Sequence, residues 1–285
     1  MKIAIAGAFG HLGYDILKGA IEKGYEVVAL DLREKEDCPF KGKYVFHPID
    51  VTKKESLTGT LDGVDVLVTT VGLVSKSAKL TNYDIDYQGN LNLMEEAERV
   101  GVKRMIYVSV IHAETAKDVP MLDSKFQFEE KLKASSLSYS IVRPTGYFYD
   151  IAHVFMPMIE KGKVTLLGRR NHPVNVIDTT DLADFILHRV EEKENSFYEI
   201  GGKEVYNYEE IAHLFAEASG KKIKISRAPV FLFDLIIKKA HKKNDGSEAL
   251  IRFSKWTLTN DMEGSTKYGE KSFREYVMSL YKKAQ

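Results

Sequence analysis

The sequence holds one cysteine, Cys38, in 285 residues, so no disulfide can form within the chain. That usage fits a reducing compartment. Cys38 lies beside Pro39 in a polar stretch and reads as an inert thiol, since a reactive one needs a positive microenvironment. Charge of one sign is also missing. Lys and Arg total 41, Asp and Glu total 41, and the net charge is zero. The basic surplus that marks nucleic-acid binding is absent, so no nucleic-acid partner is expected. Long apolar runs are missing too. Ile3–Ala6 is too short for a signal peptide and runs into glycine, and Val230–Ile237 contains Asp234 and falls far short of a membrane span. A cytoplasmic location without a membrane partner is the expectation. No repeat or low-complexity tract interrupts the chain. His47, His153, His172, His188 and His213 show no metal-ligand spacing with Cys or acids, so no metal site is assigned. Hydrophobic residues at 44% suit a soluble globular chain, long enough to bury a core without staples.

What is present is a regular alternation. Compact apolar runs at Lys2–Ala6, Glu26–Leu30, Tyr44–Pro48, Val64–Thr70 and Arg104–Val110 read as strands. Helical spacing separates them at Leu12–Lys23, Lys53–Thr60 and Asp84–Val100. Further along, Ser124–Ser135, Asp181–Val190 and Tyr208–Ala218 read as helices, and Tyr139–Arg143 and Phe197–Ile200 as strands. Near-continuous apolar strands are those buried on both faces of a parallel sheet. Strand–helix alternation implies right-handed βαβ units. The expected fold is α/β, a doubly wound parallel Rossmann sheet over residues 1–150. A smaller C-terminal substrate-side region would occupy 151–285, with about 174–202 returning to the sheet. Lys242–Ser247 is polar and reads as a loop or linker.

Gly7-Ala8-Phe9-Gly10-His11-Leu12-Gly13 follows the first strand and opens the first helix. One glycine permits the tight turn, one lets the backbone approach a pyrophosphate, and one allows close helix–strand packing. The helix N-terminus adds unpaired N–H groups and a positive dipole. A dinucleotide site is therefore expected. Asp31 ends the second strand, 18 residues after Gly13, where a carboxylate binds ribose hydroxyls and repels a 2′-phosphate. Leu32 and Arg33 follow, and a guanidinium at 33 is suited to pairing with that phosphate. The cofactor is NAD(H) or NADP(H), with Asp31 inclining the reading towards NAD(H).

Several stretches together carry a family resemblance: the Gly7–Gly13 loop, Asp50-Val51-Thr52, Asp86 to Leu93, Gly101 to Arg104, Tyr107-Val108-Ser109, Lys125 with Glu129, Ser138 to Gly146, and Ile177 to Ala183. They resemble the atypical and extended short-chain dehydrogenase/reductase superfamily, in its divinyl chlorophyllide reductase-like and isoflavone reductase-like branch. The resemblance covers about residues 1–218. It implies that Asp50 and Val51 sit against adenine, and that Val71 and Gly72 let the backbone pass the cofactor ribose. Ser109 would lie near the nicotinamide, Lys125 would bond its ribose hydroxyls, and Pro144, Thr145 and Gly146 would cover its face. Read alone, the residues leave other roles open. Asp50 suits a helix cap, Ser109 a buried strand-end hydroxyl, Lys125 a surface charge, and Arg143 a buried ion pair.

One departure from that family stands out. Its usual catalytic tyrosine lies four residues before the lysine, and that position holds Met121. A thioether cannot donate a proton. Lys125 itself, Tyr147 or Tyr149, and His112 are the candidate replacements. Substrate residues are expected in the loops 73–83, 111–122 and 147–164, the last rich in aromatic and apolar side chains. Phe231–Ile237 looks like a helix with one apolar face, suited to packing on the first domain, covering the cleft or meeting a partner. Two functions are carried forward. One is an NAD(P)-dependent oxidoreductase acting on a small apolar or aromatic substrate, with a homodimer among the possible assemblies. The other is a catalytically silent NAD(P)-binding sensor or regulatory protein.

Overall fold

A computed structural model describes residues 1–282. The first half of the chain lays down β1 (Lys2–Ala6), β2 (Glu26–Asp31), β3 (Val45–Pro48), β4 (Val66–Thr69), β5 (Arg104–Val108) and β6 (Ser138–Pro144). They pair in parallel in the order β3-β2-β1-β4-β5-β6. The crossovers are α1 (His11–Glu22), α2 (Asn90–Val100) and α3 (Pro120–Lys133). Alternation along each strand divides the apolar side chains between two faces. Ile3 and Ile5 pack with Leu12 and Ile16 on one face, whereas Ala4 and Ala6 pack with Leu93, Phe128 and Leu132 on the other. A sheet buried on both sides explains why its strands lack polar alternation.

The second half adds α4 (Phe148–Glu160), β7 (Lys163–Leu167), β8 (Pro173–Val174), α5 (Thr179–His188), β9 (Ser196–Gly201), β10 (Tyr206–Asn207) and α6 (Tyr208–Ser219). It ends with β11 (Lys224–Ala228), α7 (Phe231–Lys243), α8 (Ser247–Thr259), β12 (Thr266–Lys267) and α9 (Phe273–Lys282). Helix α5 returns beside α1. Strands β9 and β12 extend the sheet beyond β6 to eight parallel strands. The remaining elements enclose a separate core built on Phe155, Phe215, Trp256 and Phe273. Asn175, fully buried, ties three segments of this second half together: its side chain accepts from the Gly264 N–H at 2.9 Å and donates to the Gly202 carbonyl at 3.1 Å. The fold is α/β and Rossmann-like.

Some boundaries differ from the sequence reading. The stretch expected as one helix from Asp84 opens with a π-helical turn, Tyr83–Gly89, and becomes α-helical at Asn90. Lys53–Thr60 gives only a 3₁₀ turn, Lys54–Ser56. Helix α3 starts early because Pro120 at its first position presets the backbone. The expected loop at Lys242–Ser247 shrinks to a turn at 244–246, followed directly by α8.

Candidate functional site

The chain leaves β1 for one side of the sheet and β4 for the other, so a crevice opens at their carboxyl ends. The glycine loop lines it. Gly7 takes a positive φ of 79°, and its N–H donates to the Leu30 carbonyl at 2.9 Å. A Cβ on Gly13 would lie 1.9 Å from the Gly7 carbonyl oxygen, so the protein itself demands glycine there. Gly10 is different. A Cβ there would meet only the Gly7 oxygen, at 3.4 Å, and would otherwise point into open space. Phe9 anchors the loop against Tyr44 and Phe46, and Leu12 enters the core. Gly10 and His11 stay exposed. No side chain caps the N-terminus of α1, so its first N–H groups remain free for an anion. These features fit a dinucleotide pyrophosphate.

Asp31 closes one end of the crevice. Its Oδ2 accepts from the Phe9 N–H at 2.9 Å and its Oδ1 from the Leu32 N–H at 2.8 Å, so the carboxylate ties β2 to the glycine loop. Leu32 and Arg33 are exposed, and Arg33 makes no ion pair among the described residues. Asp50 Oδ1 accepts from the Thr52 N–H and hydroxyl at 3.1 and 2.7 Å, and Lys53 sits 3.3 Å from Oδ2. The Thr52 hydroxyl bond is the main reason that this carboxyl lies below its usual range. The Val51 carbonyl accepts from Asn92 at 2.8 Å, which fixes the turn beside Gly89.

The other end is built around a buried ion pair. Lys125 Nζ lies 2.9 Å from Asp86 Oδ1, with the Asp86 side chain 1% exposed. Asp86 Oδ2 accepts from the Leu73 N–H at 3.1 Å and from Asn82 Nδ2 at 2.9 Å. Gly72 lies against both partners: a Cβ there would come within 2.8 Å of Asp86 Oδ1 and 3.1 Å of Lys125 Nζ. The Val71 carbonyl accepts from Asn90 at 3.3 Å. Ser109 is buried at the end of β5, and its hydroxyl has no partner among the described residues. Tyr107, one strand repeat deeper, is fully buried with its hydroxyl equally unpaired, and Lys125 sits 5.5 Å from its ring centre. Burial pushes that phenol well above its usual pKa. Met121 is buried in the first turn of α3.

Pro144, Thr145 and Gly146 form a fixed wall. The Pro144 carbonyl accepts from Ile111, the Thr145 N–H donates to Ile200, and the Gly146 carbonyl accepts from Ile177. The Thr145 hydroxyl donates to the Asn175 carbonyl at 2.8 Å. Beyond this wall Tyr147 stacks on Tyr149 (ring centres 5.6 Å apart), and Tyr149 stacks on His11 at 4.1 Å. An aromatic face thus runs to the N-terminus of α1. Burial raises both phenols above their usual range. Asp150 is exposed, but the protein atoms crowded around its carboxyl strip it of part of its water and push it up to about 6, against the pull of His11 and His153. A carboxyl raised on folding stabilises the fold at low pH. That contribution fades as the pH climbs from the ordinary aspartate range to about 6. Asp150→Asn should therefore flatten the pH dependence of the melting temperature across that window. An unchanged profile would show that Asp150 titrates normally.

The remaining candidates lie elsewhere. His112 has a left-handed backbone, φ 52°, and its Nδ1 is 3.3 Å from Glu199 Oε1. Ligand atoms of His112, Glu114 and Glu199 fall within 4.8 Å of one another. Arg143 supplies a cation to that cluster: it bonds Glu114 and Glu199 and forks onto Glu129 at 2.8 and 2.6 Å. An open groove of about 600 Å³ beside Arg143, lined by Phe126, Tyr139 and Phe197, lies away from the glycine loop. No helix among the described residues is long and apolar enough to cross a membrane.

Sequence reasoning placed the glycine loop, Ser109 and Lys125 but gave no role to Asp86, Tyr107 or Asp150. Asp86 had a readable signal. Asn82, Asp86 and Asn90 recur every four residues, and all three are buried on one side of the helix.

The chain is 27% identical over 242 residues to the photosystem II assembly factor Ycf39 of Trieres chinensis, spanning 83% of this chain and 75% of that protein. Divinyl chlorophyllide a 8-vinyl-reductase of Arabidopsis thaliana is 27% identical over 266 residues, spanning 83% of this chain and 62% of that protein. Among solved structures, the Citrobacter sp. triphenylmethane reductase superposes with a TM-score of 0.77 at 18% identity, covering 99% and 100% of the two chains. The NADPH complex of the Escherichia coli quinone oxidoreductase QOR2 gives 0.71 at 20% identity, covering 98% and 99%. These structures share the fold. The NmrA-like family matches residues 1–264, nearly the whole of the chain, and the chain belongs to that family.

Proposed function

We propose that this chain is an NAD(P)H-dependent reductase of a small, apolar, conjugated ring compound. The observation that carries the proposal is the meeting of three things in one crevice: an uncapped glycine-loop helix, the Asp86–Lys125 pair and the unpaired Ser109 hydroxyl. A bound nicotinamide would supply the hydride. The N-terminus of α1 holds the pyrophosphate. Asp86 fixes Lys125, whose other N–H donors face the nicotinamide ribose. The Ser109 hydroxyl, buried in the free protein, donates to the substrate atom that gains negative charge once its side chain turns into the crevice. Tyr147 and Tyr149 give a flat wall for a ring. A relative named as a divinyl chlorophyllide a 8-vinyl-reductase, and structural neighbours named as a quinone oxidoreductase and a triphenylmethane reductase, have conjugated ring compounds in their names, which supports this substrate class.

A second reading rests on Met121. Without a phenol at that position the site binds a cofactor and turns over slowly or not at all, as a sensor whose bound state a partner reads. Relatives named as assembly factors favour it. The test is thermal unfolding with NAD⁺, NADH, NADP⁺ and NADPH, followed by turnover with quinone acceptors. A ligand at 100 times its Kd should add about 2.7 kcal/mol. Stabilisation with turnover supports the reductase, stabilisation without turnover supports the sensor, and no stabilisation rejects both. Asp31 supports NAD(H), so Asp31→Ala should weaken NADH relative to NADPH. If the ratio stays the same, the carboxylate serves only the glycine loop.

A further inference from the structure

Helix α7 turns most of its apolar side chains outward. Only Ile237 and Ala240 are buried on it, whereas Phe231, Leu232, Leu235 and Ile236 are 60%, 38%, 56% and 47% exposed. At 100° per residue these four fall on one side of the helix, with Ile237 opposite and Ala240 at the border beside Ile236. Lys239, Lys242 and Lys243 continue the same side towards the C-terminal end, with Lys238 at its margin, and all four are exposed. The outer face is thus apolar for its first two turns and cationic for its last two. The one acid on the helix, Asp234, is held by Lys255 at 2.6 Å.

We propose that α7 is a peripheral membrane-docking element that enters an anionic bilayer surface obliquely, Phe231 end first. At 1.5 Å per residue, Phe231 to Ile236 spans about 8 Å, within the roughly 5–10 Å to which interfacial helices sink. The lysines begin one turn higher, at the depth of the phosphates. Their alkyl stems cover apolar surface while their ammonium groups stay with the headgroups. A second copy of the chain fits this face poorly. Antiparallel pairing of two α7 faces would set lysines on apolar turns, and parallel pairing would set lysines on lysines.

The placement relative to the crevice gives the docking a purpose. The turn after α7 meets the loop that leaves Gly72: Lys76 is 2.7 Å from Asp245, and a Cβ on Gly246 would fall 1.9 Å from the Ser77 carbonyl oxygen. A surface-docked α7 therefore anchors one rim of the cleft at the lipid, where an apolar ring compound partitions.

The test is flotation of the full chain with phosphatidylcholine vesicles, with and without about one third phosphatidylglycerol. Binding is expected with phosphatidylglycerol and should fall roughly tenfold in its absence or in high salt. Leu235→Glu and, separately, Lys242→Glu should each reduce binding about tenfold. Both residues are exposed, so the melting temperature should not move. Failure of the parent chain to float with the anionic vesicles overturns the proposal. So does a Leu235→Glu variant that floats like the parent. A soluble dimer that Leu235→Glu dissociates, without any vesicle binding, would assign the face to a second copy instead.

Discussion

Gly10→Val should weaken NAD(P) binding by roughly 100-fold or more while shifting the melting temperature of the free protein by no more than about 2 °C. The two halves of this expectation have different sources. A Cβ at position 10 meets only the Gly7 oxygen, at a tolerable 3.4 Å, so the folded chain accommodates it. The space into which a valine would project is the space a pyrophosphate needs. Gly13→Ala gives the contrast. Its Cβ would lie 1.9 Å from the Gly7 oxygen, so α1 must move away from the loop. Overpacking of this kind costs about 1–3 kcal/mol, so this variant should melt earlier as well as bind poorly. Isothermal titration and calorimetry on both variants separate the effects. Normal binding by Gly10→Val would remove the loop from the cofactor site.

The second large effect concerns Asp86 and Lys125. Removing either partner leaves a charge buried without its counterion, which costs roughly 3–5 kcal/mol. Lys125→Ala and Asp86→Ala should both be destabilised on that scale. The double variant Asp86→Leu/Lys125→Met should regain the part of the loss that comes from the unpaired charge, but not the part that comes from the Leu73 N–H and the Asn82 amide, which lose their acceptor. It should not regain turnover. Asp86→Asn should still hold Lys125 in the crevice but less rigidly, and a small misplacement of a positioning group costs up to about 100-fold in rate. A double-mutant cycle on stability, read beside kcat, distinguishes the roles. If the double variant turns over normally, the pair serves packing alone.

The central sheet was legible because β1, β2, β4 and β5 are short, largely apolar runs bounded by turn residues, as burial on both faces requires, even though β3 at the border has no buried residue. Gly7–Gly13 was legible for the same reason, since its strand and helix lie next to it in sequence. The Asp86–Lys125 pair was not. Its partners are 39 positions apart, and their meeting depends on a π-helical turn and on the loop beyond β4. The C-terminal half was read least well. Strands β7 and β11 pair with each other across a gap of 61 positions; β7 alternates over only four residues, and Ile225 is the one large apolar residue of β11. Helix α8 was missed although Leu250, Phe253 and Trp256 recur at helical spacing along it. The apolar side of α7 was visible in the sequence, but its outward direction was not. Ile237 and Ala240 alone are buried on it, beside the half-buried Phe233 and Asp234.

The two borders of the eight-stranded sheet also constrain how copies of this chain meet. At one border β12 has two residues, Thr266 and Lys267, and a lysine there discourages a further strand. At the other, β3 ends at Pro48, whose nitrogen carries no hydrogen to donate. Neither border offers a long, flat ladder of free N–H and C=O groups. The eight-stranded sheet is thereby guarded against growing by strand addition at either border.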